Sequence, residues 1–183
     1  MDSIAGMSPR ARARLAGVFE ALEGFPAAFG QVTVIGMLAV GGDAATTAHN
    51  FLANEGLYRL GFAIPLAAVG FHIVWTLLMY QLFLPVSRTV ALLAMLVMLV
   101  GCAIQAAAAV VYAAPLVILQ TASLEGTQQQ NLALVFVNLS TETFHTYLIF
   151  FGLWCVLTGY LIYRSTFLPR VLGIRRQQAV AAA

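Results

Sequence analysis

Four apolar stretches, at about residues 15–40, 59–84, 89–118 and 132–163, constrain this chain more than any other feature. A helix needs about 20 residues to cross a hydrocarbon core of about 30 Å, and each stretch is that long. Together they leave room for no separate soluble domain. Only 9% of the 183 residues are charged and 61% are hydrophobic, whereas soluble domains carry about a quarter charged residues. The sequence therefore reads as an all-α integral membrane protein. The expected fold is a four-helix bundle, up-down-up-down, formed by residues 15–173. Residues 1–14 read as an arginine-rich lead-in and residues 174–183 as a tail.

All nine basic residues are arginine, and short cytoplasmic loops collect them. Arg10, Arg12 and Arg14 precede the first stretch, Arg88 follows the second, and Arg164, Arg170, Arg175 and Arg176 follow the fourth. The two other connections hold Asp43, Glu55 and Glu125 against the single Arg59. Both termini are expected on the cytoplasmic side of a bacterial inner membrane. The net charge of +2 resides in these flanks, where it anchors anionic headgroups and gives no reason to expect nucleic acid.

The connections carry their own signals. Leu84-Pro-Val-Ser-Arg88 is short enough only for an antiparallel hairpin, and Pro85 marks the break. In the first outer connection Gly41 and Gly42 end a helix and Asp43 caps a new one. Ala44, Ala48, Phe51 and Leu52 then share a side, predicting a short amphipathic helix lying on the outer membrane face. Cys102 and Cys155 have no C-x-x-C spacing and read as packing residues.

Ionisable groups in a hydrocarbon region are costly and usually face protein or water. The candidates are Glu20, Glu23 and Gln31 in the first stretch, His72 in the second, Gln105 in the third, and Asn138, Glu142 and His145 in the fourth. At 100° per residue, His72 shares a stripe with Gly61, Pro65, Ala68 and Thr76, and Gln105 shares one with Ala94, Gly101 and Ala108. Small residues let helices approach, so these faces, and with them Glu142 and His145, are expected to point into the bundle.

Several chemistries compete for these groups. Glu142 and His145 have the i, i+3 spacing of di-metal carboxylate bundles, but such sites need two pairs and two further carboxylates, so no metal is assigned. His72 and His145, at similar depth, are the pair that would ligate a haem or chlorophyll. The discontinuous polar track from Glu20 to Glu142 suits a small-solute or proton transporter. The plainest reading is interhelical hydrogen bonding that fixes packing register. No nucleophile–base pair or phosphate-binding glycine loop stands out, so an enzyme is not expected.

Leu60-Gly-Phe62, Leu84-Pro-Val-Ser-Arg88, Val100-Gly-Cys-Ala-Ile-Gln105, Phe150-Phe-Gly152 and the run from Gly159 to Gly173 resemble a bacterial family of multi-pass membrane proteins, as does the segment from Gly42 to Glu55. That family is known as domain of unknown function four-three-eight-six. The resemblance implies an inner-membrane helical protein and supplies no catalytic residues. Its members usually continue with further membrane helices, so this chain looks like a shortened version. A face around Phe136, Phe150, Phe151 and Trp154 is then expected to be bare and to seek cover. These features point to an accessory or structural subunit, with membrane lipids and either another integral membrane protein or a second copy as partners.

Overall fold

The structure is a computed structural model that describes residues 9–121 and 125–165, apart from the side chains of Pro9, Arg10, Ala27, Ala28 and Gln31. It is all helical. Helix α1 (Pro9–Ala28) passes through a π-helical segment (Phe29–Val34) into α2 (Ile35–Leu38); α3 (Ala44–Ala53), α4 (Glu55–Phe83), α5 (Arg88–Gln120) and α6 (Gly126–Arg164) follow. The tail at 174–183 lies outside the described residues. Helix α1 starts at Pro9, inside the stretch read as a lead-in, and proline is well suited to a first turn because its missing N–H has no partner to lose there.

Three helices, α4, α5 and α6, are long and apolar enough to cross a membrane. Helix α1 is not among them, because its 20 residues include three arginines and two glutamates. Its course nevertheless follows α4 in the opposite direction. The Arg12 guanidinium donates to the Gln81 carbonyl at 3.1 Å, Glu23 reaches His72, and Gly30 lies against the backbone of Gly61 and the ring of Pro65. Pro26 removes a backbone donor from α1 just before the π segment, where the looser i→i+5 pattern accommodates the interrupted ladder. A side chain at Gly30 would strike Gly61, and one at Gly61 would strike the Tyr112 hydroxyl and Val34. These two glycines set the closest approach between the elements.

The amphipathic helix α3 does not offer its apolar face to the membrane. Asp43 accepts from the Thr46 backbone N–H at 2.9 Å and from its hydroxyl at 2.6 Å, and Gly42 supplies the positive φ of 77° that turns the chain into it. Ala48 and Phe51 are then buried. Phe51 packs with Val34, Leu38, Tyr58, Tyr112 and Val137, its ring centroid 4.4 Å from that of Tyr58. The outer face of α3 as read from the sequence is thus corrected: only Leu52 of its apolar set is well exposed. Its polar side chains also serve the helix before it, because Asn50 donates to the Leu38 carbonyl and Thr47 pairs with both backbone groups of Val40. The Leu38 carbonyl is one that α2 leaves without an intrahelical partner at its C-terminal end.

The face around Trp154 is likewise covered. Trp154 packs tilted against Trp75 with centroids 4.6 Å apart and stacks on Phe151 at 5.9 Å, within a core that includes Leu78, Met98 and Tyr147. Phe136 and Phe150 are half-buried. Tyr147 and Trp154 of α6 face inward, where their bulk reaches His72 and Trp75 of α4.

Candidate functional site

Three helices meet at one buried polar cluster. Glu23 of α1, His72 of α4 and Gln105 of α5 are 6%, 0% and 5% exposed. His72 Nδ1 lies 3.1 Å from Gln105 Oε1 and 3.1 Å from Glu23 Oε1, and Gln105 Nε2 donates to Glu23 Oε1 at 3.0 Å. Both atoms facing Nδ1 are acceptors, so Nδ1 carries the proton, and the amide of Gln105 is oriented by having one acceptor and one donor to place. The three side chains form a closed triangle that no two helices could make.

The helical spacing explains how they converge. On α5 Gln105 belongs to the stripe of Ala94, Gly101, Ala108 and Tyr112, all buried. On α4 His72 shares the inner face with Gly61, Ala68 and Thr76. Glu20, one turn before Glu23, is half-buried. Aromatic rings close the rest of the shell: Trp75 and Tyr147 meet the imidazole edge-on at 5.2 and 6.0 Å. His72 Nε2 is buried with no hydrogen-bond partner among the described residues. The neighbouring void, about 10 Å³ between Thr76, Trp154 and Thr158, is too small for a ligand. A cleft of about 80 Å³ at the far end of α4 and α5 is lined by Tyr58, Phe62 and Leu116, well away from the triangle. The buried triangle offers no slot for a flat macrocycle.

Glu142 and His145 occupy the opposite environment from the one expected. Their side chains are 75% and 58% exposed and lie 3.6 Å apart on the outer surface of α6, a separation too long for a hydrogen bond. Asn138 is exposed beside them. The buried side of α6 is instead built from Ala133, Val137, Ser140, Tyr147, Trp154, Thr158 and Leu161, and Glu142 and His145 fall on the other side at helical spacing. His72 and His145 consequently do not share a site. Nearby hydroxyls are self-satisfied: Thr143 and Thr146 each donate to the carbonyl one turn back, at 2.7 and 2.9 Å, a habit suited to an apolar medium. The two ionisable groups lie within ion-pair reach of each other instead.

Their depth follows from the packing of α6 on α5. Tyr147 and Phe150 sit over Gly101, and Val137 packs with Tyr112, so residues 142–145 stand level with the middle of α5, which runs from Arg88 to Gln120. The side chain of Gln31, the remaining sequence candidate, is not described. Two participants were not anticipated, Trp75 and Tyr147, whose bulk in the core gives no sign in the sequence that it encloses an imidazole. Among the described residues no three of His, Cys, Asp and Glu gather where they could hold a metal ion.

A family model for a domain of unknown function (DUF4386) matches residues 15–180 of the chain. No curated protein and no solved structure matches it.

Proposed function

The chain belongs to the family of the domain of unknown function DUF4386, whose description names no reaction, and we propose that it is an accessory or structural subunit of a bacterial inner-membrane complex. In this reading it crosses the membrane four times, with α1 to α2 as the fourth span beside α4 and both termini cytoplasmic. It is not an enzyme. The observation that carries the reading is the contrast between the two polar groups. The buried triangle of Glu23, His72 and Gln105 is closed and already paired, which suits a register lock. Glu142 and His145 are open, at a depth where a charged side chain costs at least about 2.5–3.5 kcal/mol unless protein or water covers it. A surface of that kind is suited to packing against another membrane helix.

Neither alternative gains from the geometry. Tetrapyrrole ligation by His72 and His145 would need both imidazoles at one site. A proton or solute path would need the inner triangle and Glu142 to connect, and they lie on opposite sides of the α6 backbone. The experiment is native mass measurement with a visible spectrum on protein extracted gently from its own membrane. A colourless species heavier than one chain supports the subunit reading; a single chain carrying a chromophore refutes it.

A further inference from the structure

The cleft of about 80 Å³ between the far ends of α4 and α5 changes from polar to apolar with depth. Ala113, Leu116, Val117 and Gln120 form its α5 wall at helical spacing, and Arg59 and Phe62 of α4 face them. Beside the cleft the Tyr58 hydroxyl donates to the Tyr112 carbonyl at 2.6 Å, which ties the two helices together and makes the gap a fixed feature of the pair. Arg59 is the sole arginine between Arg14 and Arg88. It stands about 15 Å from the midpoint of α4 at 1.5 Å per residue, the depth at which a hydrocarbon core of about 30 Å ends. Phe62 lies one turn deeper than Arg59, and Ala113 two turns deeper than Gln120. Val117 is 62% exposed, so at this depth the cleft opens sideways onto acyl chains. A charged rim at headgroup level, an apolar gap beneath it and a lateral mouth match the polarity of a membrane lipid.

We infer that this cleft seats one phospholipid whose head carries an ammonium group beside its phosphate, as phosphatidylethanolamine does. The charges select the head. Nε and Nη2 of Arg59 both lie 2.7 Å from Glu55 Oε1, so the ion pair converges on one carboxylate oxygen and leaves the Nη1 donors for a phosphodiester oxygen. Both side chains remain open to an incoming head, at 60% and 39% exposed. An anionic head would bring a net negative charge to a rim where Arg59 and Glu55 cancel, on a face whose other charged residues are Asp43 and Glu125. A zwitterionic head sets its phosphate on Arg59 and its ammonium on Glu55, so each charge meets its opposite. Gln120 neighbours the Glu55 carboxyl and has both a donor and an acceptor to offer the same head. One acyl chain then descends past Val117 into the gap beside Phe62 and Ala113. The site lies away from the outer face of α6 and needs no protein partner.

The test is native mass spectrometry of the full chain in mild detergent, with phosphatidylethanolamine, phosphatidylglycerol, diacylglycerol or inorganic phosphate supplied in turn. One phosphatidylethanolamine per chain is expected to stay bound, several-fold more often than phosphatidylglycerol. Arg59→Gln should lower its retention about tenfold, the effect of losing one charge-assisted hydrogen bond. Glu55→Gln should abolish the preference over phosphatidylglycerol while a phospholipid still binds. Val117→Trp fills the mouth of the cleft from an exposed position without altering charge, and should lower retention of both phospholipids. Arg164→Gln, an exposed arginine at the opposite end of the bundle, should change nothing. Diacylglycerol retained as well as the phospholipids, or no effect of Arg59→Gln, overturns the inference. Equal retention of phosphatidylglycerol by the unaltered chain overturns the assignment of the head, and bound inorganic phosphate with no lipid retained would make this a site for the free anion instead.

Discussion

Replacing Gln105 by leucine isolates what the buried triangle contributes. The two side chains are of similar length, so the change removes polar atoms without opening a large cavity at a site only 5% exposed. It deletes the contacts to His72 and to Glu23 and leaves the His72–Glu23 contact intact. Interhelical hydrogen bonds in membrane proteins average about 0.6 kcal/mol and reach about 1.7, so the two together predict a loss of about 1–3 kcal/mol. Glu23→Leu removes two contacts as well, one of them the same. The double variant removes three, whereas the singles sum to four, so the cycle should show a coupling of about 0.6–1.7 kcal/mol. Trp75 and Trp154, 4.6 Å apart and buried, provide a fluorescence signal for reversible unfolding in mixed detergent micelles. Additivity within about 0.5 kcal/mol, the behaviour of independent sites, would refute a shared triangle.

Further outcomes follow from the packing. Gly61→Ala places a methyl group against Val34 and the Tyr112 hydroxyl and should destabilise the fold by about 1–3 kcal/mol in the same assay, whereas Gly70→Ala, with open space around it, should not. Tyr58→Phe removes a buried hydroxyl that donates to the Tyr112 carbonyl at 2.6 Å, with an expected cost of about 1 kcal/mol. Hydrogen bonds from the Thr46 side chain and backbone hold the Asp43 carboxyl below its ordinary range. A depressed folded pKa stabilises above the unfolded value and loses that effect as pH falls through the folded one, so amide protection in α3 should decline from about pH 3.9 downward. Asp43→Asn should flatten that decline, as read by hydrogen exchange.

Much of the inner face was legible because α4 and α5 obey a simple rule. Their small residues, Gly61, Ala68, Ala94, Gly101 and Ala108, mark where backbones approach, and His72 and Gln105 lie on those stripes and are buried. Helix α6 breaks the rule. Its inward residues are Tyr147 and Trp154, while Gly152, Glu142 and His145 face out. A periodic polar stripe marks a face that a hydrocarbon medium penalises, but a sequence does not say whether that face turns into its own bundle. Helix α3 misled for a related reason: amphipathicity gives the direction of the apolar face and leaves open what covers it, and the pocket that receives Phe51 is assembled from four distant segments. The π segment had a trace in Pro26, Gly30 and the β-branched residues around Thr33, yet the contact it serves, Gly30 on Gly61, joins residues 31 apart in sequence.

The central claim is that protein covers the outer face of α6 in the membrane. Spin labels placed singly along residues 135–160 in native membranes, with accessibility to dissolved oxygen measured at each, test it directly. The account predicts low oxygen contact at Glu142 and His145. Maximal oxygen contact at those two positions would mean that Glu142 and His145 face lipid, and the account would be wrong.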